Sequence, residues 1–153
     1  MNNISDHISY KEATRSITAK RLGLNNAPTD EHLFNMKIIA KKIFEPLRKF
    51  INKPICINSM YRSPELNKAI GGSKTSQHCK GQAMDIDDKY GHASNKDMFN
   101  FIKNNLSFDQ LIWEFGTDDN PDWIHVSYVS EEENRNMILK AYKNKGKTAY
   151  KRI

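Results

Sequence analysis

The apolar residues of this 153-residue chain change their spacing partway along it. Between positions 33 and 50 they fall at Leu33, Met36, Ala40, Ile43, Leu47 and Phe50, steps of three and four that line one stripe of a helix. Later runs are shorter. F-D-Q-L-I-W-E-F (108–115) and W-I-H-V-S-Y-V (123–129) read as the two clearest strands. Helices come first and strands cluster later, an order that argues for an α+β fold with a central antiparallel sheet.

Local signals fill in the rest. Ser9 with Glu12 is a capping-box pattern that opens a first helix ending near Gly23. Thr29 caps the long helix, and Pro46 kinks it near its end. Residues 54–60 read as a strand. Ser63-Pro64 starts a short helix that stops at Gly71-Gly72. Residues 73–82 are a polar loop and 83–87 a short buried strand. Ser94 and Asp97 begin another helix, through Phe101. From Met137 the chain reads as an edge strand followed by a basic end. With no internal repeat, residues 1–153 are expected to form one domain with a single core.

The 24 Lys and Arg outnumber the 18 Asp and Glu, a net charge of +6 that attracts polyanions. Nucleic acid, an anionic membrane and an anionic cell wall all qualify. No nucleic-acid motif is present, and the basic end reads as a solvated tail. No run approaches the ~20 apolar residues of a membrane span. The N-terminal stretch lacks an apolar signal-peptide core, so synthesis in the cytoplasm is expected, with release by other means if the protein acts outside. Cys56 and Cys79 form no CxxC pair and are expected to be reduced thiols.

The stretch S-Q-H-C-K-G-Q-A-M-D (76–85) puts His78 and Asp85 seven positions apart. Both can bind one cation only if the segment folds back, and Gly81 permits that. A catalytic zinc keeps three protein ligands and one open position, so a third ligand is needed. His125 lies in a strand, on one face with Trp123 and Ser127, and is either a core histidine or that ligand. Asp122 either starts the strand after Pro121 or acts as a proton-transfer group beside a metal. Arg62 follows a strand in M-Y-R-S-P and is either a surface residue or a clamp for a carboxylate or oxyanion. His7, His32 and His92 lie in polar surroundings and read as solvated.

These residues meet a known pattern. S-x-H-x-x-G-x-A-x-D, with acid-x-x-His downstream and Y-R-S-P upstream, resembles the zinc D-alanyl-D-alanine peptidase family, which includes carboxypeptidases, dipeptidases and phage L-alanyl-D-glutamate endolysins. Ser76, His78, Gly81, Ala83 and Asp85 fill the first motif and D-W-I-H-V-S the second; the likeness runs over residues 8–129. It implies one zinc ion per chain on His78, Asp85 and His125, with Asp122 as acid/base. It also implies Arg62 as stabiliser of the tetrahedral intermediate and Ser76 as a substrate contact. Glu114 is either a surface carboxylate or a partner supporting a ligand histidine. The implied activity is hydrolysis of D-amino-acid-containing peptides of peptidoglycan, of the carboxypeptidase or endolysin type; the sequence does not fix an oligomeric state, and a monomer is the expectation. The alternative is an inactive zinc-stabilised binding module, since the Hedgehog signalling domain resembles this fold and carries zinc without clear peptidase function.

Overall fold

The computed structural model describes residues 3–153. Its framework is a six-stranded sheet in the order β1-β2-β4-β3-β5-β6. The strands are β1 (Cys56–Ser59), β2 (Ala83–Asp87), β3 (Gln110–Glu114), β4 (Trp123–Ser127), β5 (Met137–Asn144) and β6 (Lys147–Arg152). The α+β expectation holds, with one difference: β3 and β5 pair in parallel, while the other neighbours are antiparallel.

Helices cover one face. Strand alternation sends Met84, Ile86, Leu111, Trp113, Ile124 and Val126 into a core shared with the helical layer, and all six are buried. α3 (Asp30–Ile39) and α4 (Glu45–Ile51) belong to that layer, as does α6 (Asn95–Asn105), whose Phe99 meets Trp113 edge-on with ring centroids 5.2 Å apart. The opposite face carries Asp85, Ile112, Glu114, Trp123 and His125.

The long helix is interrupted in a way that periodicity did not foresee. Residues Ala40–Phe44 form a π-helical turn between α3 and α4. Pro46 has no N–H to return to residue 42, and its ring crowds that carbonyl; the wider turn accommodates both. The extra residue rotates the stripe. Ile39 and Phe44 become buried alongside Met36, Ala40, Ile43 and Leu47, whereas Phe50 is 59% exposed. Phe50 stacks instead on Phe101 of α6, 4.3 Å between centroids.

Two further expectations are corrected. The single N-terminal helix is two, α1 (Tyr10–Thr14) and α2 (Ile17–Leu22), because Ser16 adopts an extended backbone and caps a fresh start by accepting from the Ala19 N–H. The basic end is not a solvated tail. It is β6, the sheet edge, joined to β5 by the two-residue turn Lys145-Gly146, both at positive φ (51° and 79°). That is the twist a tight hairpin requires. α5 (Pro64–Ala69) starts at Ser63 as expected, and α6 runs four residues past Phe101.

Asp109, just before β3, locks the loop that leads into β5. Arg135 donates to it from Nε (2.8 Å), from Nη2 (2.7 Å) and from its backbone N–H (3.1 Å), and Gln77 Nε2 donates at 3.0 Å. The Arg135 hydrogen bonds hold the Asp109 carboxyl below its usual range, against the opposing effect of burial. A folded-state pKa below the unfolded value gives stability that is present above about pH 4 and lost as pH falls through the lower folded value. Asp109→Asn should therefore cost about 1.5–3 kcal/mol at neutral pH and give a shallower acid-side decline in melting temperature. Thermal melts from about pH 6 to pH 3 read both effects, and parallel curves for the two proteins would refute the assignment.

Candidate metal centre and pocket

Ser76 opens a short 3-10 turn, Gln77–Lys80, by accepting from the His78 N–H at 3.3 Å. Gly81 closes the turn at φ 72°. An added Cβ there would run into the His32 carbonyl, so the fold-back tolerates only glycine. The turn delivers a buried His78 to the sheet face beside Asp85 of β2. Asp85 pairs in register with His125 of β4. One ligand atom from each of these three residues lies within 4.8 Å of the others.

The hydrogen bonds define the chemistry of this cluster. His78 Nδ1 faces the Met60 carbonyl oxygen at 2.7 Å; a carbonyl only accepts, so Nδ1 carries the proton. Burial pushes the His78 pKa down, which leaves the ring neutral and Nε2 as a bare lone pair. That lone pair faces Asp85 Oδ1 at 3.3 Å. The Asp85 carboxyl is held well below its usual range, the attraction of the imidazole groups beside it outweighing its burial, so it is the charged partner of the pair. Two acceptors facing each other need a cation or a proton between them. Ligands held 2.0–2.1 Å from a tetrahedral ion sit about 3.3 Å apart, so the spacing suits a metal. His125 Nδ1 lies 2.9 Å from the same Asp85 oxygen. Two imidazoles and one carboxylate form a donor set that fits a first-row dication.

Arg62 leaves β1 through a register slip between Ile57 and Ser59, a bulge that re-aims the strand end. Its Nε donates to Ser59 Oγ (3.2 Å), its Nη1 to Asn67 Oδ1 (3.1 Å), and its Nη2 lies 3.6 Å from Asp85 Oδ2. The guanidinium is thereby fixed at the edge of the metal cluster.

A pocket of about 530 Å³ opens here, lined by Arg62, Ser76, His78, Asp85, Glu114 and His125 among others. Asp122 does not line it. That side chain is exposed, and its backbone N–H donates to the Glu114 carbonyl at 2.9 Å. Glu114 does line it. In the β3–β4 register Ile112 opposes His125 and Glu114 opposes Trp123, so Glu114 shares the His125 face. Glu114 is only 7% exposed, and burial pushes its pKa up to about 7 against the pull of His125. The hydrogen bond that orients His78 comes from Met60, not from Glu114. Cys79 is a free thiol outside the cluster, as is Cys56. His7 is paired with Glu45 at 2.6 Å, and His92 with the Pro54 carbonyl at 2.8 Å.

A mixed sheet with helices on one face and a His-Asp-His cluster in a pocket on the other defines an α+β domain able to hold a catalytic metal. A family model described as Peptidase M15 matches residues 6–127, and the chain belongs to that metallopeptidase family. No curated protein matches the chain at a significant level. Among the described residues no helix is long and apolar enough to cross a membrane.

Proposed function

We propose that this protein is a zinc peptidase that hydrolyses peptide bonds in the D-amino-acid-containing peptides of peptidoglycan. The observation that supports the reading is one pocket that holds a complete metal-donor set, a fixed arginine and a buried carboxyl side by side. His78, Asp85 and His125 would hold the ion. When bound, zinc supplies Lewis acidity that acidifies water and polarises an amide carbonyl.

The remaining steps belong to side chains. Glu114 takes the proton of the attacking water and returns it to the leaving nitrogen. A carboxyl raised toward neutrality by burial is suited to both transfers. In this reading the acid/base is Glu114, which lines the pocket, in place of Asp122, the residue that the family resemblance implies. Arg62, held by Ser59 and Asn67, presents its fork to a substrate carboxylate or to the oxygen on which charge develops. Ser76 contacts substrate at the rim while capping the turn that carries His78. The chain acts as one domain and as a monomer, and the charge of +6 favours an anionic cell wall once the protein is released to it.

Incubation of metal-replete protein with purified peptidoglycan, followed by mass spectrometry, tests this. The expected result is fragments from hydrolysis at one type of peptide bond, absent when a chelator is added. The masses separate a carboxypeptidase, which releases a terminal residue, from an endopeptidase, which releases a longer piece. Metal-replete protein that yields no fragments would leave the zinc-stabilised binding module as the better reading.

A further inference from the structure

The family match ends at residue 127, yet the pocket does not. Its far wall is the β5–β6 hairpin, which contributes Leu139, Thr148 and Tyr150. The pairing explains how. Ile112, Leu139 and Arg152 form one cross-strand row that continues from His125; Glu114, Ala141 and Tyr150 form the next, continuing from Trp123. Two strand spacings, about 10 Å, separate the Glu114 and Tyr150 backbones. The residue between them is Ala141, fully buried and too small to fill the gap. The Tyr150 ring therefore overhangs Ala141 on the pocket side. Tyr150 is 54% exposed, and its partial burial, with the negative charges of Glu114 and Asp85, raises its pKa; a phenol is a neutral hydrogen-bond donor at neutral pH.

Charge gives the wall a sign. Residues 137–153 carry six Lys and Arg and no Asp or Glu. Alternation puts two of those cations, Lys143 and Arg152, on the same sheet face as the pocket, exposed just beyond its lining, one on each side of Tyr150 along the hairpin. Lys143 donates to Thr148 Oγ1 at 3.1 Å and lies 5.2 Å from the ring centre of Phe115, another pocket residue. The Ile153 N–H donates to the Ile138 carbonyl at 3.2 Å, so the strand end that carries Arg152 is tied to β5.

We infer that the pocket face of this hairpin is a recognition wall for substrate carboxylates, with Tyr150 as the positioning donor and Lys143 and Arg152 as the residues that select an acidic peptide. The inference rests on the peptidase reading for its substrate class, but its test reads binding directly. Isothermal titration calorimetry on zinc-loaded protein would compare stem peptides from peptidoglycan as free acids with the same peptides amidated at their carboxylates. The parent should prefer the free acids. Tyr150→Phe, and separately the double variant Lys143→Gln with Arg152→Gln, should each weaken free-acid binding by about tenfold or more. Neither should change zinc content or binding of the amidated peptides.

In turnover the same variants should raise KM with little change in kcat, the pattern of an interaction made equally in ground and transition states. Variants that bind and discriminate like the parent would overturn the wall while leaving hydrolysis standing, and so would a parent that binds neither peptide form or shows no preference for the free acid. A parent that binds with hairpin-dependent preference yet cleaves nothing would overturn the peptidase reading and leave the wall intact.

Discussion

Glu114→Gln should keep its metal and its fold and lose about 10²–10⁴-fold in turnover, whereas Asp122→Asn should hydrolyse like the parent. The contrast follows from strand register. Glu114 opposes Trp123 on the face that carries His125, and its carboxyl is buried within the pocket. Asp122 is exposed and outside it. Glutamine keeps the shape of glutamate but cannot take up the proton of water and hand it on. The loss should therefore appear in kcat, with zinc content by elemental analysis unchanged. The paired variants are decisive because each role predicts the opposite outcome. If Asp122→Asn is the inactive one, a rearrangement on substrate binding must bring Asp122 inward, and the acid/base role returns to it. If Glu114→Gln loses its zinc, Glu114 is a ligand and the donor set must be redrawn.

How far the chain could be read in advance depended on whether a feature was local. The α+β order was legible because the apolar period changes from three-and-four to two, and that change reflects which faces are buried. His78 and Asp85 were legible as a pair because Gly81 sits where the chain must reverse, and the φ of 72° there shows why. Three features were not legible for physical reasons. The π-helical turn arises from a clash between Pro46 and the preceding turn, which shifts burial to Ile39 and Phe44 without altering the apolar stripe on paper. The β5–β6 hairpin turns on Lys145-Gly146 rather than the more familiar Asn-Gly, so its second strand, rich in lysine, looked like a tail. A signal was present in the alternation of Thr148, Tyr150 and Arg152. The sequence put Asp122 ahead of Glu114 on the acid-x-x-His spacing alone, because the facing of Glu114 depends on the pairing of β3 with β4, a contact between residues distant in the chain.

Removal of the metal should be the largest stability effect in this molecule. His78 comes from the 3-10 turn, Asp85 from β2 and His125 from β4, so one ion would tie together segments up to 47 positions apart in the chain. Its binding stabilises only the folded state, where these donors converge. At a free zinc concentration of 1,000 times Kd that amounts to about 4 kcal/mol. For a domain of this size the melting temperature of zinc-loaded protein should exceed that of chelated protein by about 10 °C. Without the ion, a proton must stand between His78 Nε2 and Asp85 Oδ1, 3.3 Å apart, and Arg62 Nη2 at 3.6 Å is the nearby fixed cation left to Asp85. Asp85→Ala removes the carboxylate from both states. It should abolish the gap between loaded and chelated melts and bring zinc content from about one equivalent to near zero. An Asp85→Ala protein that still binds one zinc with parental stabilisation would dismiss the His-Asp-His centre. A parent that melts at the same temperature with and without zinc would do the same.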